Sequence, residues 1–464
     1  MVGFKLPEDF LIGTGSSAFQ TEGAWLRDGK SPSIMDHYAK LYAGKTAPEY
    51  SALGTYSPKK GSPYADDLPD RGNFFYDNYE AYIEDMKKTG QNTFRMSLSW
   101  PRIIPTGIGT VNPKGIEFYN NVINKLLECG IKPFVDLHHW DMPQCLMEIG
   151  GFANPDFPEW FENYARVCFE AFADRVKLWS TFNESAIAVT SGYIDMRFPP
   201  FRADIKEGLL AAHNCILAHY RAVRLYKSMK LGGKIGAVNC ISAVTPACMN
   251  DADVGAAARQ TEWHFGWWTQ PMFEGTYPQQ LLRECPYVHD NMPPHYQKDL
   301  DRWFVPMDFV GINYYNGSRT KYNPDKPLLS DRVESFYARP GQRYLPNPGG
   351  LFDVVQYVCE RYHADVYITE NGLALPNIRD EEKECDDDER ITYLREHLRM
   401  AARLVRAGYR LKGYYYWNDA DAYEELEGYR LRFGLTWVDH ESGERRWKKS
   451  RYYFSEICKT HMVD

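Results

Sequence analysis

Two short stretches of the sequence each end in a carboxylate beside an asparagine. Residues 178–185 read LWSTFNES and close on Asn183 and Glu184, and residues 365–372 read DVYITENG and contain Glu370. Each glutamate follows a β-rich run with little polar relief before it. A single glutamate at a strand end is usually a salt-bridged structural residue, whereas a matched pair at two strand ends favours a functional site.

A pair of carboxylates across one site is what cleavage of a glycosidic bond requires. One carboxylic acid protonates the leaving oxygen, and the other carboxylate attacks the anomeric carbon or activates a water. The residues alone do not assign these two roles between Glu184 and Glu370. They also leave open whether the anomeric configuration is retained or inverted.

The adjacent histidines of HHWD are the other pattern with chemical potential. His138 and His139 are neighbours on a predicted strand, so their side chains point to opposite faces and make a poor metal chelate. His138 is therefore predicted to be packed or to support a neighbour. A metal-dependent barrel enzyme would need carboxylates at several strand ends, and no glycine-rich phosphate motif is present. We expect no metal and no cofactor.

Eight short apolar, β-rich runs could position these residues. They lie near residues 10–14, 92–98, 133–138, 176–182, 235–240, 308–313, 365–369 and 412–417. Segments of helical periodicity separate the runs, and most runs lack strict alternation, as expected of strands covered on both faces. The pattern predicts an α/β fold in which residues 1–464 form a single-domain (β/α)₈ TIM barrel. Long βα-loop insertions on the catalytic face are expected near residues 27–75, 184–205, 240–305 and 314–350.

Composition excludes several classes of partner. The net charge of −8 comes from interleaved acidic and basic residues, which argues against a nucleic-acid or anionic-membrane surface. No run is apolar enough to span a bilayer, and ten unpaired cysteines without CxxC spacing predict a reduced, cytoplasmic protein. Homo-oligomerisation is left open. The acidic run at residues 379–390 is expected to be a solvated loop before a helix rather than a metal site or phosphoprotein tail.

Seven motifs, in order along nearly the whole chain, carry a resemblance to a known family. They are SSAFQTEGA, FRMSLSWPRI, HHWDMPQ, TFNE, GINYY, ITENG and a late W…E…GYRLRFG. Together they resemble the family-1 glycoside hydrolases, the β-glucosidase/β-glycosidase family. The resemblance implies a retaining exo-acting β-glycosidase, foremost a β-glucosidase, with β-galactosidase or β-fucosidase activity as further options. Its substrate would be a small β-glycoside or a short oligosaccharide.

The resemblance also implies a role for each matched residue. It makes Glu184 the acid/base and Glu370 the nucleophile. Arg95 would lie beside the nucleophile and keep it ionised, Tyr315 would hydrogen-bond the same carboxylate, and Asn313 would assist the acid/base side. The residues expected to hold the sugar are Gln20, His139, Asn183, Trp417 and Glu424.

Two positions depart from the family pattern. Ser185 follows the predicted acid/base where the family normally has proline, and Glu425 stands where it has tryptophan. Glu425 is expected to join the sugar-binding set, where it removes an aromatic wall and adds a carboxylate. We therefore expect a glycone preference unlike that of plain β-glucosidases. Glu427, two residues on, is expected to be solvated.

Two alternatives within the family stay open at this point. Members that are 6-phospho-β-glycosidases resemble one another in placing serine, lysine and tyrosine around the phosphate in this late loop. Here Glu424, Leu431 and Phe433 occupy that stretch, and a carboxylate would repel a phosphate dianion. A catalytically dead, sugar-binding member would be expected to lack one of the two glutamates, and both are present.

Overall fold

Eight parallel strands close into a barrel in the computed structural model, which describes residues 3–43, 45, 68–333, 346–376, 385–425 and 427–464. Successive strands pair in chain order, and the eighth pairs with the first. We number them β1 (Leu11–Gly15), β2 (Thr93–Ser97), β3 (Lys132–His138), β4 (Leu178–Asn183), β5 (Lys234–Cys240), β6 (Phe309–Asn313), β7 (Asp365–Asn371) and β8 (Leu411–Trp417). The (β/α)₈ fold and all eight predicted strands are confirmed. The extent of one domain over residues 1–464 stays a prediction.

Amphipathic helices connect the strands and cover the barrel. The longer ones span Phe75–Thr89, Pro113–Glu128, Phe157–Phe172, Ile205–Met229, Pro348–Tyr362, Asp388–Arg406 and Lys449–Thr460. Pro113–Glu128 shows how the sequence sets such a helix: Asn112 caps its N-terminus, Pro113 occupies the first turn, and Gly130 follows its end at a positive φ of 76°.

The barrel interior is packed with side chains and is not a pore. Rings of Phe134, Phe309, Tyr367 and Tyr415 contact one another edge to face, and Val238 joins them. Side chains two residues further along the same strands point to the same face and form the next layer toward the C-terminal mouth. This aromatic layer is therefore the floor on which the next layer of residues rests.

The predicted insertions after β4, β5 and β6 carry secondary structure of their own. Ser185–Val189 and a π-helical turn at Thr190–Ile194 follow β4. Strands Ala243–Pro246, Gly317–Tyr322 and Ser330–Val333 form a small sheet from the segments that follow β5 and β6. Residues 240–305, expected as a long connection, also contain helices Asp251–Thr261, Trp267–Glu274, Gln279–Glu284, Pro286–His289 and Tyr296–Trp303, with a π-helical turn at Glu262–Gly266. Most of the predicted insertion at 27–75 lies outside the described residues.

The shorter elements complete the described chain. Helices Ala18–Thr21, Ile34–Tyr42, Trp100–Ile103 and Gln144–Glu148, with a 3₁₀ turn at Gly151–Ala153, lie in the first three βα connections. Paired short strands are Phe4–Lys5 with Met462–Val463, Leu375–Pro376 with Leu431–Arg432, and Thr436–Val438 with Arg445–Trp447. The chain ends therefore meet each other.

The acidic run at 379–390 is only partly the solvated loop that was expected. Residues 377–384 lie outside the described part, and Asp386, Asp388 and Glu389 are exposed. Asp387, however, is buried, contacts Arg390, and accepts hydrogen bonds from the backbone and hydroxyl of Ser450 at 2.9 and 2.6 Å. The expectation is wrong for Asp387, because its charge anchors the helix start to the C-terminal helix.

Two compositional expectations can be compared with the described chain. All ten cysteines lie within it, and each is a free thiol. Across the described ranges we find no helix that is both long and apolar enough to cross a bilayer.

Candidate active site

The two predicted catalytic glutamates both lie at the C-terminal mouth of the barrel. Glu184 directly follows β4, and Glu370 is the penultimate residue of β7. The strand register shifts between Ser180 and Asn183 and again between Ile368 and Glu370. Such irregularities re-aim the side chains that follow them. Glu184 also has a φ of 48°, which is rare for a residue with a Cβ and recurs at functional sites.

A continuous chain of hydrogen bonds links the two carboxylates through Arg95. The guanidinium donates from Nη1 to Glu370 Oε1 at 2.7 Å and from Nη2 to Asn183 Oδ1 at 2.6 Å. Asn313 Nδ2 donates to the same Asn183 oxygen at 3.0 Å and to Glu184 Oε1 at 2.8 Å. The structure thus brings five of the predicted residues into one buried network.

The Glu370 carboxylate is held at both oxygens. Tyr315 donates its hydroxyl to Oε2 at 2.6 Å, and Arg95 occupies Oε1. Burial raises the pKa of Glu370 above its ordinary value, while Arg95 and Tyr315 act in the opposite direction and the charge of Asp136 adds to the rise. Arg95 favours the ionised form as expected, but the net direction is upward because burial outweighs it.

Asn183 and His139 form the next part of the site. Two donors fix Asn183 Oδ1, so Asn183 Nδ2 faces His139 Nε2 at 2.9 Å. Burial, followed by the nearby Arg95, lowers the pKa of His139 well below its ordinary value, so the ring is neutral and can accept at Nε2. The His139 ring stacks on Trp417 with centroids 5.7 Å apart.

The late loop contributes the polar end of the site. Gln20 Nε2 donates to the Tyr423 carbonyl at 2.8 Å and to Glu424 Oε1 at 3.3 Å. Glu424 and Glu425 are both buried, with 5% and 8% of their surface exposed. Glu427 is far more exposed and lies 3.4 Å from Arg430. The three glutamates therefore differ as expected, with the first two inside and the third at the surface.

One pocket of about 260 Å³ collects most of the predicted site. Nine of the eleven predicted residues line it, and they are Gln20, His139, Glu184, Asn313, Tyr315, Glu370, Trp417, Glu424 and Glu425. Arg95 and Asn183 do not line it but bond to residues that do. Further lining comes from the segments after β4, β5 and β6, including Arg197, His264 and Arg332.

Three residues of this site were missed in the sequence. Asp136 contacts Arg95, Thr369 donates to Asn313 Oδ1 at 2.8 Å, and Cys240 lines the pocket. Burial raises the pKa of the Cys240 thiol, and the charges of Glu184 and Glu370 raise it further. Asp136 had a signal that could have been used: it is the one charged residue inside the apolar run PFVDLH.

The metal alternative finds no support in the described part of the chain, where no group of three or more His, Cys, Asp or Glu residues is arranged to hold an ion. His138 packs against Trp100, Phe152 and Phe182 with ring centroids 5.6–6.5 Å away. Burial lowers the pKa of His138 to about 3. The prediction that it is a packed histidine is confirmed.

Comparison with known proteins agrees with this geometry. The sequence profile of glycosyl hydrolase family 1 matches residues 3–463. Beta-glucosidase A of Thermotoga maritima is 35% identical over 462 residues, covering 99% of both chains. The 6-phospho-beta-glucosidase GmuD of Bacillus subtilis is 35% identical over 474 residues, covering 98% of both.

Solved structures are equally similar. The family 1 β-glucosidase from Thermotoga maritima superposes with a TM-score of 0.91 at 34% identity and covers 100% of both chains. The Thermotoga maritima β-glucosidase in complex with glucoimidazole gives a TM-score of 0.89 at 34% identity, with 98% and 99% covered. With a full-length profile match, full-length relatives and the barrel all in agreement, the chain belongs to glycosyl hydrolase family 1.

Proposed function

We propose that this protein is a retaining, exo-acting β-glycosidase, foremost a β-glucosidase, that hydrolyses terminal non-reducing β-D-glycosyl residues. The observation that carries the proposal is the pair Glu184 and Glu370, which line one pocket and are joined through Arg95, Asn183 and Asn313. Relatives named as β-glucosidases support the glucoside assignment. β-Galactosides and β-fucosides are further candidate substrates.

Glu370 is assigned as the nucleophile of the first step. One carboxylate oxygen forms a bond to the anomeric carbon as the glycosidic C–O bond breaks, and Glu184 gives its proton to the departing oxygen. In the second step Glu184 takes a proton from water, the water oxygen bonds to the anomeric carbon, and Glu370 leaves as a carboxylate. Arg95 and Tyr315 suit this role because they hold the oxygens that gain and lose charge.

The remaining residues are assigned to the sugar. Asn183 Nδ2 and the neutral His139 face each other at 2.9 Å and can turn to sugar hydroxyls when a substrate enters. Gln20 and Glu424 offer an amide and a carboxylate that together suit a pair of neighbouring hydroxyls. Trp417 offers an aromatic surface for the C–H face of the ring.

A 6-phospho-β-glycosidase is the second candidate, since one full-length relative carries that name. The polar end of the pocket argues against it, because Glu424 and Glu425 are both carboxylates there. The nearby cations are engaged elsewhere: Arg432 lies 2.9 Å from Asp421, and Arg430 lies 3.4 Å from Glu427. A phosphate dianion would be repelled at that end.

A reducing compartment is proposed as the setting. Ten free thiols in one chain support a cytoplasmic protein. We propose no nucleic-acid or membrane partner, in line with the charge of −8. Self-association is left as an experimental question.

Activity of the unsubstituted protein, Glu184→Ala and Glu370→Ala on nitrophenyl β-glycosides tests the proposal. We expect either substitution to reduce kcat/KM by at least about a hundredfold, since each removes a group that acts in the transition state. The panel should include glucoside, galactoside, fucoside and 6-phosphoglucoside. Retained activity in either variant would overturn the mechanism, and an inactive parent chain would identify a sugar-binding member.

A further inference from the structure

Asp136 is a buried carboxylate inside the barrel that the proposed reaction does not yet use. It lies on β3, two residues beyond the floor residue Phe134, and none of its surface is exposed. Its Oδ2 is 2.6 Å from Arg95 Nη2, and Ser180 donates its hydroxyl to Oδ1. Arg95 is itself fully buried and lies 2.7 Å from Glu370. One guanidinium therefore serves two carboxylates.

The charges around Glu370 make this sharing consequential. The cation is Arg95, and the neighbouring hydroxyl is Tyr315. The acidic groups that face it are Asp136, Glu184 across Asn313, and the Cys240 thiol. His139 lies nearby as a neutral ring. Only one buried positive charge is thus available to the Asp136–Glu370 pair.

Ester formation changes this balance. When Glu370 bonds to the anomeric carbon, its negative charge disappears, and Arg95 would then be a buried cation beside a neutral ester. An uncompensated buried charge is strongly destabilising. Asp136 remains a carboxylate in that state and stays within 2.6 Å of the guanidinium. The cation is therefore paired at every stage of the reaction.

We propose that Asp136 is a positioning residue that holds Arg95 and supplies its counter-ion while Glu370 is esterified. The inference rests on the proposed function, because it needs Glu370 as nucleophile. Two effects follow from a negative charge on the far side of the guanidinium. Asp136 makes the free Glu370 carboxylate less stable and so a better nucleophile, and it makes the same carboxylate a poorer leaving group when water releases the sugar. The pKa of Glu370, which Asp136 helps to raise, agrees with this direction.

Asp136→Asn separates these effects, because an amide oxygen can still accept from Arg95 while Ser180 accepts from the amide nitrogen. The probe is 2,4-dinitrophenyl 2-deoxy-2-fluoro-β-D-glucopyranoside, which forms a slow glycosyl-enzyme and needs no acid for its leaving group. We expect inactivation to slow by about three- to tenfold and reactivation of the trapped enzyme to speed up by a similar factor. A change of about one pKa unit in the nucleophile sets that scale.

Asp365→Asn is the matched control. Asp365 is also a buried carboxylate, it begins the strand that carries Glu370, and it pairs with Lys234 at 2.7 Å and Arg410 at 2.9 Å. The same substitution there should lower the thermal midpoint and leave both rates unchanged. A purely structural role of Asp136 would give that result, or would move both rates in one direction, and either outcome would overturn the proposal.

Two further measurements keep the proposal testable if Asp136→Asn does not fold. Asp136→Ser is smaller, neutral and able to accept from Arg95, and it carries the same expectation of opposite rate changes. In the unsubstituted protein, the pH midpoint of inactivation should lie above the ordinary glutamate pKa of about 4.3, and a midpoint at or below that value contradicts the proposal.

Mass spectrometry of the labelled peptide separates the two levels of inference. No adduct on Glu370 in the unsubstituted protein would refute the proposed function. An adduct on Glu370 with rates unaltered in Asp136→Asn would refute only the role of Asp136.

Discussion

Tyr315→Phe removes a single hydroxyl from the nucleophile and leaves the rest of the site in place. That hydroxyl donates to Glu370 Oε2 at 2.6 Å, a short bond to a charged acceptor. The bond favours the ionised carboxylate, so its loss must raise the pKa of Glu370 further above the ordinary value. The acidic limb of the pH profile of kcat/KM, which reports the free enzyme, should therefore move to higher pH.

The size of the shift follows from the energy of one charged hydrogen bond. Such a bond contributes about 1.5–3 kcal/mol, and about 1.36 kcal/mol corresponds to one pKa unit, so the upper range is one to two units. Tyr315 is only half-buried, so water can partly replace the lost donor. We therefore expect the lower end of that range, about one pH unit.

The neighbouring tyrosine provides the control for this measurement. Tyr314 is fully buried, and its hydroxyl donates to the Asn347 carbonyl at 2.6 Å rather than to a carboxylate. Profiles of kcat/KM between about pH 4 and 9 should show the acidic limb displaced in Tyr315→Phe and unmoved in Tyr314→Phe. A limb that stays in place or moves to lower pH in Tyr315→Phe would refute the reasoning.

Two other predictions concern the rim of the barrel and the late loop. Asp421→Asn should lower the free energy of unfolding by about 3–5 kcal/mol at pH 7, because it leaves Lys448 and Arg432, at 2.8 and 2.9 Å, without their buried anion. Burial would raise the pKa of Asp421, but the two cations outweigh it and lower that pKa, so this stabilisation exists above the unfolded value and is lost as the pH falls through the folded one. The difference between parent and variant in urea unfolding should therefore shrink below about pH 4, and a difference independent of pH would contradict this account. Glu425→Trp should change the ratio of kcat/KM for glucoside over galactoside and fucoside, and the idea fails if the parent strongly prefers glucoside and the substitution is neutral.

The fold was predictable because apolar runs and helical periodicity report burial directly. All eight barrel strands follow from that pattern, and the two glutamates at the ends of β4 and β7 follow from it as well. The contacts among the site residues were less accessible, because partners such as Arg95 and Glu370 are far apart in the chain. Their pairing depends on closure of the barrel.

The errors have identifiable physical causes. Asp387 lies in an acidic run, and a run of like charges predicts solvation, yet its partners Arg390 and Ser450 lie on the helix it precedes and on a distant one. Asp136 sits in an otherwise apolar strand, and the sequence does not show that its side chain meets Arg95 inside the barrel. In both cases the partner that makes burial of a charge acceptable is set by tertiary structure.

The anomeric form of the first product is the most direct test of the central claim. Hydrolysis of a nitrophenyl β-glucoside can be followed by proton NMR before mutarotation equilibrates the released sugar. Double displacement through Glu370 predicts that the β-anomer appears first. Initial release of the α-anomer would contradict a covalent intermediate on Glu370 and, with it, the roles assigned here to Arg95, Tyr315 and Asp136.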